Sequence, residues 1–177
     1  MIDRTQLEPS SAFSQPCEYF NDNWQIYQKI LQNNYIKHRE FYNVLHEFLV
    51  HRVQKPFQLL ELGCGDASMT VPALLGTSIQ AYYGIDISQT AIAIAQDNLA
   101  VLPCPKTLIK GDFTALVPQL LGTQQKNFDI ILASFSLHPL TLKQNYGLIG
   151  QLLQLRNWDG VLIFIDIIRQ EAENRTT

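Results

Sequence analysis

From Phe57 onward the sequence repeats one texture: a short apolar run, a helical stretch, then another apolar run. The runs are FQLLEL, AYYGIDI, TLIK, FDIILAS and VLIFIDII, which predict five strands, the last over 161–168. Between them, helices are predicted over Met69–Leu75 ending at Gly76, from Ser88 as N-cap to about Leu102, over Phe113–Leu121 ending at Gly122, and from Thr141 to about Leu155. The strands are apolar at successive positions instead of every second one, a pattern that demands cover on both faces. Alternation of this kind implies an α/β fold with a doubly wound, mostly parallel sheet.

Upstream, Trp24, Tyr27 and Leu31, then Phe41, Val44, Leu45, Phe48 and Leu49, recur at helical spacing, so helices precede the sheet. The expected organisation is an irregular arm over 1–20, which carries Pro9 and Pro16, N-terminal helices over 21–55, the α/β domain over 56–168, and a polar tail over 169–177. Strand 161–168 is too apolar for an open edge. It is expected to be covered, either by two further strands encoded beyond Thr177 or by a second copy of the chain in a homo-oligomer.

Composition removes whole classes of function. With 46% hydrophobic and 16% charged residues the chain is not a disordered one. A net charge of -3 argues against a nucleic-acid partner, which would require a basic footprint. No apolar run has a membrane-spanning length, so no membrane partner is expected. The cysteines, Cys17, Cys64 and Cys104, are odd in number and lack C-x-x-C spacing. They suggest neither disulfides nor a metal site, and fit a reducing, cytoplasmic setting.

The chemistry concentrates where the first strand ends. In LLELGCGDAS, residues 59–68, an apolar strand runs into Gly63 and Gly65 before a helix begins. Such glycines allow positive φ and close approach of a ligand to the main chain. A pyrophosphate fingerprint requires a third glycine at 68, where the chain has Ser68. Glu61 instead precedes the turn in the order E-x-G-x-G, and a carboxylate there suits a cationic ligand better than a phosphate. Asp86 ends the second strand 21 residues after Gly65, the spacing of a ribose-binding acid. Asp112 with Phe113 follows the third strand, an acceptor and an apolar cover suited to an adenine ring.

Together ELGCGDAS, GIDIS, KGDF and FDIILASFSLHPL resemble the class I S-adenosylmethionine-dependent methyltransferases over about residues 57–168. The stretch NNYIKHREFYNVLHEFL is similar to the N-terminal helices of bacterial small-molecule members of this group. The resemblance implies a Rossmann-like sheet ordered 3-2-1-4-5, with the last two family strands missing. It implies S-adenosylmethionine as cofactor, S-adenosylhomocysteine as product and a small-molecule methyl acceptor. Carried over by position, Glu61, Gly63 and Gly65 line the methionine part, Asp86 the ribose, Asp112 and Phe113 the adenine, and Ala133 and Ser134 the sulfonium side. Cys64 and Ile87 complete the set, although Cys64 also reads as a small packing residue. The run SFSLHP departs from the [N/D]-P-P-[Y/F/W] of enzymes that methylate base or glutamine amino groups.

His138, in the loop after the fourth strand, is the best titratable candidate for a catalytic base, against the plainer role of a loop histidine with a structural hydrogen bond. Asp166 and Arg169 end the fifth strand and are candidates for acceptor contact, as are Tyr27, Tyr35 and His38 from the N-terminal helices. The aromatics Tyr19, Trp24, Tyr27 and Tyr35 are candidates for a lid across the carboxyl edge of the sheet, against the plainer role of helix packing for Trp24 and Tyr27. Asp86→Ala is expected to weaken cofactor binding while leaving unfolding of the ligand-free chain nearly unchanged. Two other functions are compatible with the sequence: an NAD-type oxidoreductase, and a non-catalytic cofactor-binding or assembly domain.

Overall fold

The computed structural model describes residues 24–122 and 127–166. The arm, Tyr19, Cys17, Arg169 and the polar tail lie outside the described residues. The elements run α1 (Trp24–Gln32), α2 (His38–Arg52), β1 (Phe57–Leu62), α3 (Thr70–Leu74), β2 (Ile79–Asp86), α4 (Gln89–Asn98), a 3-10 turn (Leu99–Val101), β3 (Lys106–Lys110), α5 (Phe113–Gly122), β4 (Phe128–Ser134), α6 (Leu142–Leu155) and β5 (Arg156–Ile165).

All five strands are parallel, in the order β3-β2-β1-β4-β5. This is the α/β fold with the strand order that the resemblance implies. β1 is central: Leu59 pairs with Tyr82 on one side and Ile130 on the other. Successive side chains go to opposite faces, so Leu59 and Ile130 join a core with Leu49, Leu74 and Ile92, while Leu60 and Ile131 join another with Val117, Leu148 and Leu152. Burial on both faces is why the strands read as continuous apolar runs.

Several boundaries differ from expectation, among them that of β2, which starts at Ile79 and not at Ala81. The helix predicted over Met69–Leu75 is only Thr70–Leu74. β5 begins at Arg156, five residues before the apolar run at 161–168. Its polar start pairs because Asn157 Nδ2 donates to Asp129 Oδ1, and the Arg156 guanidinium donates to the carbonyls of Trp158 and Gly160. The ladder with β4 is irregular between Phe128 and Ile130, which absorbs this extra stretch. Among the described residues β5 pairs only with β4, and Val161 and Phe164 remain 36% and 41% exposed.

Every strand ends at the same edge, since Leu62 pairs with Ile85 and Ala133, Asp86 with Lys110, and Ser134 with Ile165. The loops leaving that edge carry the sequence's chemistry.

Candidate functional site

A cavity of about 420 Å³ opens at the carboxyl edge of the sheet. Its floor is the turn after β1, where Gly63 and Gly65 have φ of 69° and 53°. The N–H groups of Gly63 and Cys64 both donate to the Ile85 carbonyl, at 2.8 and 3.0 Å, which folds the turn over the end of β2. A Cβ on Gly63 would lie 2.5 Å from the Ser136 Cβ, whereas one on Gly65 would meet nothing within 4 Å. The first glycine is therefore required by the fold, and the second leaves room above the main chain.

Asp86 braces this floor. One carboxylate oxygen accepts from the Gly65 N–H at 2.8 Å and the other from the Ser88 N–H at 2.8 Å. Burial raises its proton affinity, and those N–H groups oppose the rise. Ser88 in turn caps α4 by accepting from the Ala91 N–H. After β3, Asp112 Oδ1 accepts from both the N–H and the hydroxyl of Thr114, at 2.8 and 2.7 Å, beside Phe113 on the same wall.

The far wall begins at Phe135, a bulky side chain at φ 51°, a conformation such residues rarely adopt. This turn takes the chain off β4 so that Ser136 reaches back and donates to the Leu62 carbonyl at 2.8 Å. Beyond it, Asp166 Oδ2 accepts from the N–H groups of Leu137 and His138, and Oδ1 faces His138 Nδ1 at 3.1 Å. The His138 side chain is 45% exposed and lines the cavity; that of Asp166 is 13% exposed and does not. Tyr27 of α1 reaches the cavity from above. Its hydroxyl is held protonated by burial first, then by the charges of Asp66, Asp86 and Glu61.

No curated protein matches the sequence. Residues 59–160 match the family model of a methyltransferase domain. The chain belongs to this methyltransferase family. The fold is shared with the S-adenosylmethionine-dependent methyltransferase of Thiobacillus denitrificans, solved with S-adenosylhomocysteine (22% identity, 71% of this chain and 47% of that one, TM-score 0.54). It is shared also with magnesium protoporphyrin IX methyltransferase (ChlM) of Synechocystis PCC 6803 with bound S-adenosylhomocysteine (19%, 81% and 68%, TM-score 0.62) and with DhpI in its S-adenosylhomocysteine complex (14%, 86% and 68%, TM-score 0.65). The chain spans about half the length of the first of these structures and about two thirds of the other two.

In this methyltransferase domain the cavity brings together Gly63, Gly65, Asp86, Ile87, Asp112, Phe113, Ser134, His138 and Tyr27 from the residues singled out in the sequence. Others stand apart from it. Glu61 is buried behind the turn, accepting from Thr70 Oγ1 at 2.7 Å and the Tyr82 hydroxyl at 2.6 Å. Burial pushes its carboxyl up to about 7 against the pull of these two donors. Cys64 packs inward over Gly84 with its thiol raised by burial and by the charges of Glu61 and Asp86, which suits packing and not reactivity. Ala133 is fully buried below Ser134.

His38 also lies off the cavity lining. Its ring sits 4.5 Å from that of Phe135 and 6.5 Å from that of Tyr27, and neither ring nitrogen has a hydrogen-bond partner among the described residues. Burial lowers its proton affinity, so it supports the wall as a neutral ring. Tyr35, at the turn between α1 and α2, is 71% exposed and off the cavity lining. Sequence reasoning missed Phe135, Ser136 and Gln144, which also line the cavity. The first two follow β4 directly, and proximity to a strand end was the signal available for them. No group of His, Cys, Asp and Glu among the described residues is arranged to hold a metal, and no helix there is long and apolar enough to cross a membrane.

Proposed function

We propose that this methyltransferase domain binds S-adenosylmethionine in the cleft and transfers its methyl group to a small molecule. The observation that carries the reading is that one cavity takes in a glycine turn, Asp86 and the Asp112–Phe113 pair, from the ends of three adjacent strands. Its volume falls in the range of small-ligand sites. The space over Gly65 fits a ligand lying against the main chain. Asp86 accepts from the N–H groups of Gly65 and Ser88 through different oxygens, and a carboxylate oxygen has further acceptor capacity for a ribose hydroxyl. In this reading Asp112 accepts from the adenine amine and Phe113 supplies apolar cover for the ring.

Charge separates this reading from an NAD-type oxidoreductase. The cavity lining among the described residues contains Asp86 and Asp112 but no Lys or Arg. That field favours a sulfonium and disfavours a pyrophosphate. When bound, S-adenosylmethionine supplies a methyl group already activated toward nucleophiles. The protein's own residues then have to hold the acceptor in line and exclude water, an effect worth up to about 7–11 kcal/mol in favourable models. Ser134, with Ala133 beneath it, faces the reacting side, and Tyr27 covers it from α1. Calorimetry tests the reading: S-adenosylhomocysteine is expected to bind and NAD is not, and tighter binding of NAD would overturn it.

A further inference from the structure

We infer that His138, oriented by Asp166, is the general base of the cleft and that the acceptor is a phenol-class hydroxyl compound. The inference rests on the cleft being a methyl-transfer site. Asp166 is already satisfied as a loop brace by the N–H groups of Leu137 and His138, at 2.8 and 2.9 Å. Its second oxygen adds the contact to His138 Nδ1 at 3.1 Å, which bracing alone does not require. A carboxylate only accepts, so Nδ1 carries the proton and Nε2 holds a lone pair. The half-exposed ring lines the cavity, with Asp166 behind it and Asp86, Asp112 and the Tyr27 hydroxyl on the other walls.

The acceptor class follows from what such a base is useful for. An aromatic amine is neutral near pH 7 and attacks through its own lone pair, a carboxylic acid is already ionised, and an alkylammonium ion would bring a charge against the apolar side chains of Phe135, Pro139 and Leu140 beside His138. An aliphatic alcohol, with acidity close to that of water, is out of reach of an imidazole. A phenol, with a pKa of about 10 against about 6.5 for histidine, is too weak to ionise alone yet close enough to give up its proton as the new bond forms. Phe135, Pro139 and Leu140 give the cavity beside His138 apolar walls suited to an aromatic ring. The phenol oxygen passes its proton to Nε2 and takes the methyl group, the S–CH3 bond breaking with its electron pair kept by sulfur. The imidazolium then releases the proton to water.

The test uses the full chain with S-adenosylmethionine and ring-matched acceptors: 4-methylphenol and 2-naphthol against 4-methylaniline and 4-methylbenzoate. Methylation of the phenols is expected, with kcat rising with pH through one ionisation. His138→Gln should lower kcat by about 10²–10⁴-fold and remove that ionisation, leaving the KM for the phenol and the affinity for S-adenosylhomocysteine unchanged. Asp166→Asn keeps an acceptor for the loop but turns an amide donor toward Nδ1, so kcat should fall with KM preserved. Imidazole nitrogen shifts should report the Nδ1–H tautomer of His138 in the parent and its loss in Asp166→Asn. Four results overturn the proposal: no phenol turnover while S-adenosylhomocysteine binds, preference for the aniline or benzoate, unchanged kcat in His138→Gln, or an Nε2–H tautomer in the parent. Failure to bind S-adenosylhomocysteine overturns the methyl-transfer reading beneath it.

Discussion

Asp86 braces the fold with the same two oxygens that the proposed cofactor would use. Because it holds the N–H groups of Gly65 and Ser88, the expectation that its loss spares the ligand-free chain is revised. Asp86→Ala should weaken binding of S-adenosylhomocysteine and also cost about 1–3 kcal/mol in urea unfolding, from backbone donors left without an acceptor. The glycines divide differently. Gly65→Ala introduces left-handed strain of about 1–2 kcal/mol and a methyl group in open space, so calorimetry should show lost ligand binding on a folded protein. Gly63→Ala places its Cβ 2.5 Å from the Ser136 Cβ and should unfold at markedly lower urea; equal stability of the two variants would refute the assignment. Glu61 provides a pH signature. Its carboxyl is pushed up to about 7 in the folded chain by burial, against an ordinary 4.5. Between these values the folded state keeps a proton that the unfolded state has released, so stability falls as pH rises from about 4.5 to about 7. Glu61→Gln should flatten that part of the urea midpoint profile, and a slope as steep as the parent's would assign the effect elsewhere.

Legibility varied with how local each determinant is. β1, β2 and β4 were readable because burial on both faces places apolar residues at successive positions, and α4 because Ser88 marks its start. The first half of β5 was hidden, since Arg156 to Gly160 are held by pairing of Arg156 with Phe128, by Asp129 and by the arginine's own reach, contacts that no periodicity reveals. The site follows the same division. Acids after glycines and at strand ends were visible in order, whereas the withdrawal of Glu61 behind the turn depends on Tyr82 and Thr70. Pairing of His138 with Asp166 joins residues 28 apart, and the left-handed turn at Phe135 that shapes their loop has no glycine to announce it. α6 carries a capping box: Thr141 Oγ1 accepts from the Gln144 N–H while Gln144 Oε1 accepts from the Thr141 N–H. Gln144 also lines the cavity, so helix capping and cleft shape share a side chain. Thr141→Ala should cost about 1 kcal/mol, lowering the melting temperature by about 2–4 °C in a thermal scan.

At the scale of the molecule, the cleft is where the strands end together. β1 supplies the glycine turn, β2 Asp86, β3 the Asp112–Phe113 pair and β4 the loop from Ser134 to His138, so a ligand filling the cavity would touch the ends of four strands. These strands come from segments spread between residues 57 and 134 and are tied by a single ladder with β1 at its centre. A ligand held by all of them binds the intact sheet and has no counterpart site in the unfolded chain. Binding must therefore appear as global stability, not as the ordering of one loop. At a free concentration 100 times its dissociation constant a ligand adds about 2.7 kcal/mol, which for a chain of this size raises the melting temperature by about 5–11 °C. S-adenosylhomocysteine should produce that shift in a single cooperative transition, and NAD at the same concentration should leave the midpoint where it was. In hydrogen exchange the added protection should reach β1 and β4 as well as the cleft loops, since opening the central strands requires releasing the ligand. Protection confined to the loop from Phe135 to Leu140 would mean that the ligand sits on one wall and that the four strand ends do not form one site.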